Sequence, residues 1–326
     1  MTESADVIRL TAGGTSATVS TCGAALRSVT VEGRPLVDHG VGDPVSQYRG
    51  SVLVPWPNRT QPVAWRTGDA SGVLQPTPGF DGCAIHGLLA TVHWRVTSAT
   101  SSRVRLEATV EPSPGYGHRL QVVAEYAIRG DGVAVEFVVT NRGDEPAPVG
   151  LGWHPYLSVH GPLDEVIVHL DHDLVLEPDE RSVPCRPVDA LEVWGATPGG
   201  NLRGLVLDHS FRLRPGPEDR VVTIRDGERV VEMSFGANWP WVHLFTADSL
   251  AAADHRASLA LEPMSCPANA LQTGTDLVWL GSGTSQTWTA AIREVRPGRT
   301  TSSAARHRSA RTDQRRSSKW QWLPGR

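Results

Sequence analysis

The sequence predicts an all-β fold, a large antiparallel β-sandwich. Three observations carry this. Many short runs alternate apolar and polar residues, the period-2 pattern of a half-buried strand. The 326-residue chain holds 32 Gly and 24 Pro, which punctuate those runs as turns. A helical period sustained over ten or more residues is hard to find, and the best helical candidate is the short segment 247–255.

Taken in order, residues 17–20 and 26–31 read as strands, with Gly23 as the turn between them. Residues 103–110 alternate over eight positions. Residues 120–128 and 133–140 flank Gly130-Asp131-Gly132, a hairpin link. Strand-like runs follow at 165–170, 220–225, 229–235, 241–246, 258–261, 277–280 and 285–293, with Asp226-Gly227 as a second hairpin turn. The Pro/Gly-rich stretches 55–80 and 184–201 read as long loops, and loops of that length commonly carry function.

Nothing splits residues 1–295, which are expected to form one sandwich domain. Residues 296–326 turn to Arg, Ser and Thr and read as a basic, disordered tail. The chain's net charge of −4 hides this division. From Arg293 onward ten Arg and Lys face two acids, which leaves −12 on residues 1–292. A body so acidic argues against a nucleic-acid-binding surface. Lys319 is the only lysine, so a Schiff-base lysine is excluded from the body.

Cys22, Cys83, Cys185 and Cys266 stand far apart with no CxxC spacing, and are expected to be free thiols in a reducing compartment. The first residues carry neither a basic nor an apolar leader, and no run of 18 apolar residues occurs. The expectation is therefore a cytoplasmic protein with no membrane partner, either a monomer or a homodimer.

Five clusters place polar or ionisable side chains among Pro, Gly and aromatic residues near strand ends. In Val54-Pro55-Trp56-Pro57-Asn58-Arg59 two prolines stiffen a loop, and Arg59 offers a planar fork of donors. In Ala84-Ile85-His86-Gly87-Leu88 the glycine lets a backbone or ligand come close to His86. In Gly152-Trp153-His154-Pro155-Tyr156-Leu157, Pro155 biases His154 toward extended backbone, and Trp153 and Tyr156 offer flat faces suited to a sugar ring. In Leu207-Asp208-His209-Ser210-Phe211, Asp208 follows an apolar run. In Leu261-Glu262-Pro263-Met264 a carboxylate emerges from an apolar strand, which is costly unless it is paired or working. The first four each have a plain structural alternative: a loop-tying Arg, a turn His, a core His, a strand-end Asp. No His pair stands beside a third ligand in metal-site order, so no metal is expected; nor is there a Gly-x-Ser-x-Gly elbow or a phosphate loop.

Together and in order, Asn58-Arg59, Ile85-His86-Gly87, Trp153-His154-Pro155-Tyr156, Leu207-Asp208-His209-Ser210-Phe211 and Leu261-Glu262-Pro263 with Asn269 resemble the aldose 1-epimerase (galactose mutarotase) family. The resemblance implies a mutarotase-like supersandwich with a sugar in an open cleft, and no cofactor. It implies that His154 is the general acid at the ring oxygen and Glu262 the base at the anomeric hydroxyl. Arg59 and His86 would bind around the ring oxygen, and Asp208 would anchor sugar hydroxyls. Asn58, Trp153 and Tyr156 are further candidate substrate contacts. Unperturbed values of about 4.3 for Glu and 6.5 for His place an ionised base and a partly charged acid near neutrality. A nearby carboxylate should favour the charged imidazole further. The chain departs from the family pattern at residues 60–65, which hold an extra proline, and before His86, where the family often has an Asn and this chain has Cys83 or Ala84. Two rival functions stand beside this one. One is a hexose-6-phosphate epimerase using Arg66, Arg95 or Arg181; the other is a non-catalytic carbohydrate-binding sandwich.

Overall fold

The computed structural model describes residues 7–38, 40–41, 45, 47–194, 199–216 and 219–295. The tail expected at 296–326 lies outside these residues. Among the described residues two large sheets face each other, one of 12 strands and one of 9, and the strand pairs described in them are antiparallel. This is the antiparallel β-sandwich expected from the alternating runs. Their inner faces share one apolar cluster, with Leu259 and Leu261 from the larger sheet and Val122, Phe137, Phe235 and Trp288 from the other, all about fully buried. No helix among the described residues is long and apolar enough to cross a membrane.

The alternating runs became strands for the reason they alternate. In Leu120–Arg129 and Gly132–Asn141 one side of each ribbon is buried while the other keeps polar residues. Arg129 pairs with Gly132, so the hairpin turns on Gly130-Asp131 and Gly132 already belongs to the ladder. Arg220–Asp226 and Arg229–Phe235 close around Gly227, which sits at φ +60.

Several local expectations need correction. Segment 247–255 is a run of turns, not a helix; Ala247 stands at φ +61, which breaks a right-handed helical path at its start. The stretch 55–80 is not all loop: Arg59–Thr60, Ala64–Thr67 and Ala70–Val73 form small ribbons. Likewise 184–201 contains strand Pro184–Val188 and helix Ala190–Trp194. Within 165–170 only Ile167–His169 is strand, because Leu163–Glu165 closes a 3-10 turn just before it. The run ending at Leu261 continues as strand Ser258–Met264, through Pro263.

The central part of the larger sheet positions the site. Strand Ser258–Met264 is buried at every residue. It is paired on one side with Trp241–Phe245 and on the other with the short strands Gly152–Trp153 and Tyr156–Ser158. Trp241–Phe245 pairs in turn with Asp208–Leu213.

Candidate active site

Strand register builds the site. Directly opposed residues of antiparallel neighbours share a sheet face. His243 is opposite Glu262, and Ser210 is opposite His243. Gly152 is opposite Met264 and Tyr156 is opposite Ala260, so the same register carries His154 to the level of Glu262. Four side chains, His154, Glu262, His243 and Ser210, therefore form a row across three strands and the link between Gly152–Trp153 and Tyr156–Ser158 that carries His154. The His154 backbone is held at both ends. Its N–H donates to the Ser51 carbonyl (3.1 Å), and its carbonyl accepts from the Gly50 N–H (2.7 Å). The Pro155 carbonyl accepts from the Leu261 N–H (3.2 Å), which ties the strand crossing to the Glu262 strand.

Along the row, His154 Nε2 lies 3.3 Å from Glu262 Oε1. His243 Nε2 lies 2.9 Å from Asp208 Oδ1, and its Nδ1 lies 3.1 Å from Ser210 Oγ. Arg59 Nη1 reaches Asp208 Oδ2 at 3.5 Å. Glu262 Oε2 is buried with no hydrogen-bond partner, a costly arrangement outside a binding site.

A second loop system brings Arg59 and His86 to the row. Arg59–Thr60 pairs with Ala84–Ile85. The Asn58 N–H donates to His86 Nδ1 (3.2 Å), so the His86 hydrogen sits on Nε2. The Asn58 side-chain oxygen accepts from the Arg59 N–H (2.8 Å). The expectation that Gly87 permits a close approach is met by backbone. The Leu88 N–H donates to the Val54 carbonyl at 2.7 Å, and a Cβ on Gly87 would lie 2.1 Å from that carbonyl oxygen.

His154 takes its orientation from rings. It stacks on Tyr156 (centroids 5.1 Å, interplanar 5°) and meets the edge of His86 at 5.1 Å. Behind Tyr156, the buried Arg49 guanidinium sits 3.9 Å from the ring centroid and pairs with Asp254.

Electrostatics follow from burial. Desolvation pushes the His154 imidazole down to about 3, and His243 acts in the same direction. Desolvation pushes the Glu262 carboxyl up to about 7; His243 and Arg59 oppose this and Asp208 adds to it. This reverses the expected ionised base and charged acid, because both groups lie in the protein interior. His86 is held well below the ordinary range by burial, with His154 and Arg59 adding to it, and is neutral. Burial raises Asp208 as well. The hydrogen bond and field of His243, with Arg59, outweigh it and hold the carboxyl below its ordinary value.

Seven of the expected site residues, Asn58, Arg59, His86, His154, Tyr156, Asp208 and Glu262, line one cavity. Trp153 does not. It is fully buried on the opposite face, 6.1 Å from Phe137 and 6.4 Å from Tyr126 between ring centroids. Adjacent residues of a strand point to opposite faces, so Trp153 cannot share the cavity with His154. Asp208 also differs in detail: it opens strand Asp208–Leu213, and residues 205–207 before it are not strand. Sequence reading missed His243, the pocket-lining Gln47 and Tyr48, and the apolar wall of Phe80, Phe245 and Leu250. Of these only His243 had a signal, a polar residue centred in the apolar strand Trp241–Phe245. Among the described residues, no three His, Cys, Asp or Glu are grouped to hold a metal ion.

Comparison with known proteins fits this geometry. The chain is 33% identical over 285 residues to the uncharacterized protein YihR of Escherichia coli K12, across 86% of this chain and 90% of that one. Its fold matches a GalM/aldose epimerase homologue from C. elegans, with a TM-score of 0.76 and 18% identity over 90% of this chain and 99% of the other. It also matches galactose 1-epimerase from Lactobacillus acidophilus, with a TM-score of 0.70 and 14% identity over 90% and 98%. The family model described as aldose 1-epimerase spans residues 6–293, which takes in every strand that builds the His154–Glu262 row; the chain belongs to the aldose 1-epimerase family.

Proposed function

We propose that the protein is an aldose 1-epimerase that interconverts the α and β anomers of a free aldohexose. The observation that carries this reading is the buried contact between His154 Nε2 and Glu262 Oε1 at 3.3 Å. A hemiacetal opens when its anomeric hydroxyl loses a proton and its ring oxygen gains one. The aldehyde then rotates about C1–C2 and closes on the other face. A carboxylate within reach of the anomeric hydroxyl and an imidazole within reach of the neighbouring ring oxygen suffice for both steps.

In the opening step, Glu262 takes the anomeric proton while His154 protonates the ring oxygen. That leaves Glu262 protonated and His154 neutral, the arrangement their burial favours. In the closing step the neutral His154 takes the proton from the C5 hydroxyl, and Glu262 returns its proton to the carbonyl oxygen. One proton on the pair is conserved through the cycle. His86 offers its Nε2–H, and Arg59 its guanidinium, to oxygens near the anomeric end. Asp208 accepts from ring hydroxyls, and Tyr156 bounds the cavity as the plate on which His154 stacks.

The cavity lining favours a free sugar over a phosphorylated one. Arg66, Arg95 and Arg181 do not line it, and Arg59 is the only Arg among its described lining residues. Exchange NMR on glucose, galactose and glucose 6-phosphate tests the reading. A free hexose should exchange anomers well above the buffer rate. Preference for the phosphorylated sugar would reassign the substrate. Binding by calorimetry with exchange left at the buffer rate would make the protein a carbohydrate-binding sandwich.

A further inference from the structure

His243 is buried at the centre of the row, and the mechanism above gives it no task. Its two ring nitrogens are both engaged. Nδ1 meets Ser210 Oγ at 3.1 Å and Nε2 meets Asp208 Oδ1 at 2.9 Å. The trio contains the residue types of a serine hydrolase triad but cannot work as one. Ser210 is fully buried, so its hydroxyl is closed to substrate. The chain of contacts runs the other way, from a buried hydroxyl through an imidazole to a carboxylate that lines the cavity.

That carboxylate is gripped from two separate elements. Strand Trp241–Phe245 supplies His243 to Oδ1, and Arg59 approaches Oδ2 at 3.5 Å. A carboxylate only accepts, so His243 must donate through Nε2. Asp208 on one neighbouring strand and Glu262 on the other share the sheet face of His243, and His209, on the opposite face, interacts with it electrostatically. His154 and His86 lie beyond, and Arg59 faces Asp208.

We propose that His243, anchored at Nδ1 by Ser210, is a positioning residue that aims the Asp208 carboxylate at a ring hydroxyl of the sugar. This rests on the reading of the cavity as a site of anomer exchange. A fixed carboxylate makes its hydrogen bond without paying for its own ordering at binding, so the contribution goes to holding the sugar. Second contacts of this kind are what hold a site residue in its productive geometry. In this role His243, itself at the cavity wall, acts through Asp208.

The test combines kinetics with NMR of the intact protein. His243→Leu should raise KM for the accepted hexose about tenfold or more, the loss expected for one charge-assisted hydrogen bond, and change kcat by less than about threefold. His243→Gln places an amide donor near the Nε2 position and should recover most of that loss. Ser210→Ala, a small change that keeps the imidazole, should fall between wild type and His243→Leu. In ¹⁵N long-range correlation spectra of the wild type, the His243 Nε2 should carry hydrogen. A His243 bare at Nε2 would overturn the proposal. So would a kcat loss with KM unmoved in folded His243→Leu, or a folded His243→Gln that recovers nothing. If the wild-type protein leaves every sugar at the buffer rate, the functional reading fails; the hydrogen on Nε2 still reports whether the Ser210–His243–Asp208 relay exists.

Discussion

At the scale of single residues, the proposed chemistry turns on one proton shared between His154 and Glu262. The two groups touch at 3.3 Å and titrate as a pair. Burial draws the imidazole down to about 3 and the carboxyl up to about 7. Below the lower value both groups are protonated and none can accept. Above the upper value neither carries the exchangeable proton and the ring oxygen has no effective donor. Between them the pair holds one proton, the state the cycle needs. The pH profile of kcat/KM, corrected for the buffer reaction, should therefore be flat in mildly acidic solution and fall as pH rises through about 7. A rate that climbs steadily through pH 8 would contradict the shared proton. His154 and Glu262 were legible because each stands out from its neighbours, a His before Pro and an acid ending an apolar run. Their ionisation was not legible, since it depends on a burial that only the packed sheets create. Trp153 was misjudged although the two-residue period of a strand already separates it from His154.

At the scale of elements, short ribbons and the bends beside them, rather than long loops, carry Asn58, Arg59 and His86, proposed to bind substrate. The pair Arg59–Thr60 and Ala84–Ile85 was hidden in a Pro/Gly-rich stretch because two-residue strands have no period to read. Gly87 was legible: it stands at φ +74 with the Val54 carbonyl against its α-carbon. Gly87→Ala must both adopt a left-handed backbone and push that carbonyl away. It should cost about 2 kcal/mol or more of stability. Because His86 precedes it, the variant should also lose substrate affinity. Urea denaturation and the KM of the refolded variant measure the two effects. The central strands were read from their apolar runs, but their order was not. The row of His154, Glu262, His243 and Ser210 comes mostly from pairings between strands not consecutive in the chain, which no local pattern encodes.

At the scale of the whole molecule, two apposed sheets bury a carboxylate that the fold would be steadier without. Glu262 has an ordinary value of 4.5 and a folded value of about 7. A raised folded value means that its contribution to stability is fully present below 4.5 and lost as pH rises through about 7. The difference is worth about 3 kcal/mol. Glu262→Gln removes that titration while keeping the shape. Between pH 5 and pH 8 the wild type should lose up to about 3 kcal/mol more stability than this variant, read from denaturant midpoints at each pH. Such a gain beside a loss of activity is the trade expected when a working group is kept in the interior. The sandwich itself was legible from alternation and turn residues, because one buried face per strand writes a period of two into the chain. The division of the strands between the sheets was not, since both halves share the same period.

The measurement that bears most directly on the His154–Glu262 assignment is two-dimensional exchange NMR of an accepted aldohexose with wild type, His154→Ala and Glu262→Gln. Each substitution removes one of the two proton-transfer groups and should lower the enzyme-catalysed exchange rate by about 10² or more, with the circular dichroism of the folded protein retained. Exchange within about tenfold of wild type in either folded variant would contradict the assignment of that group.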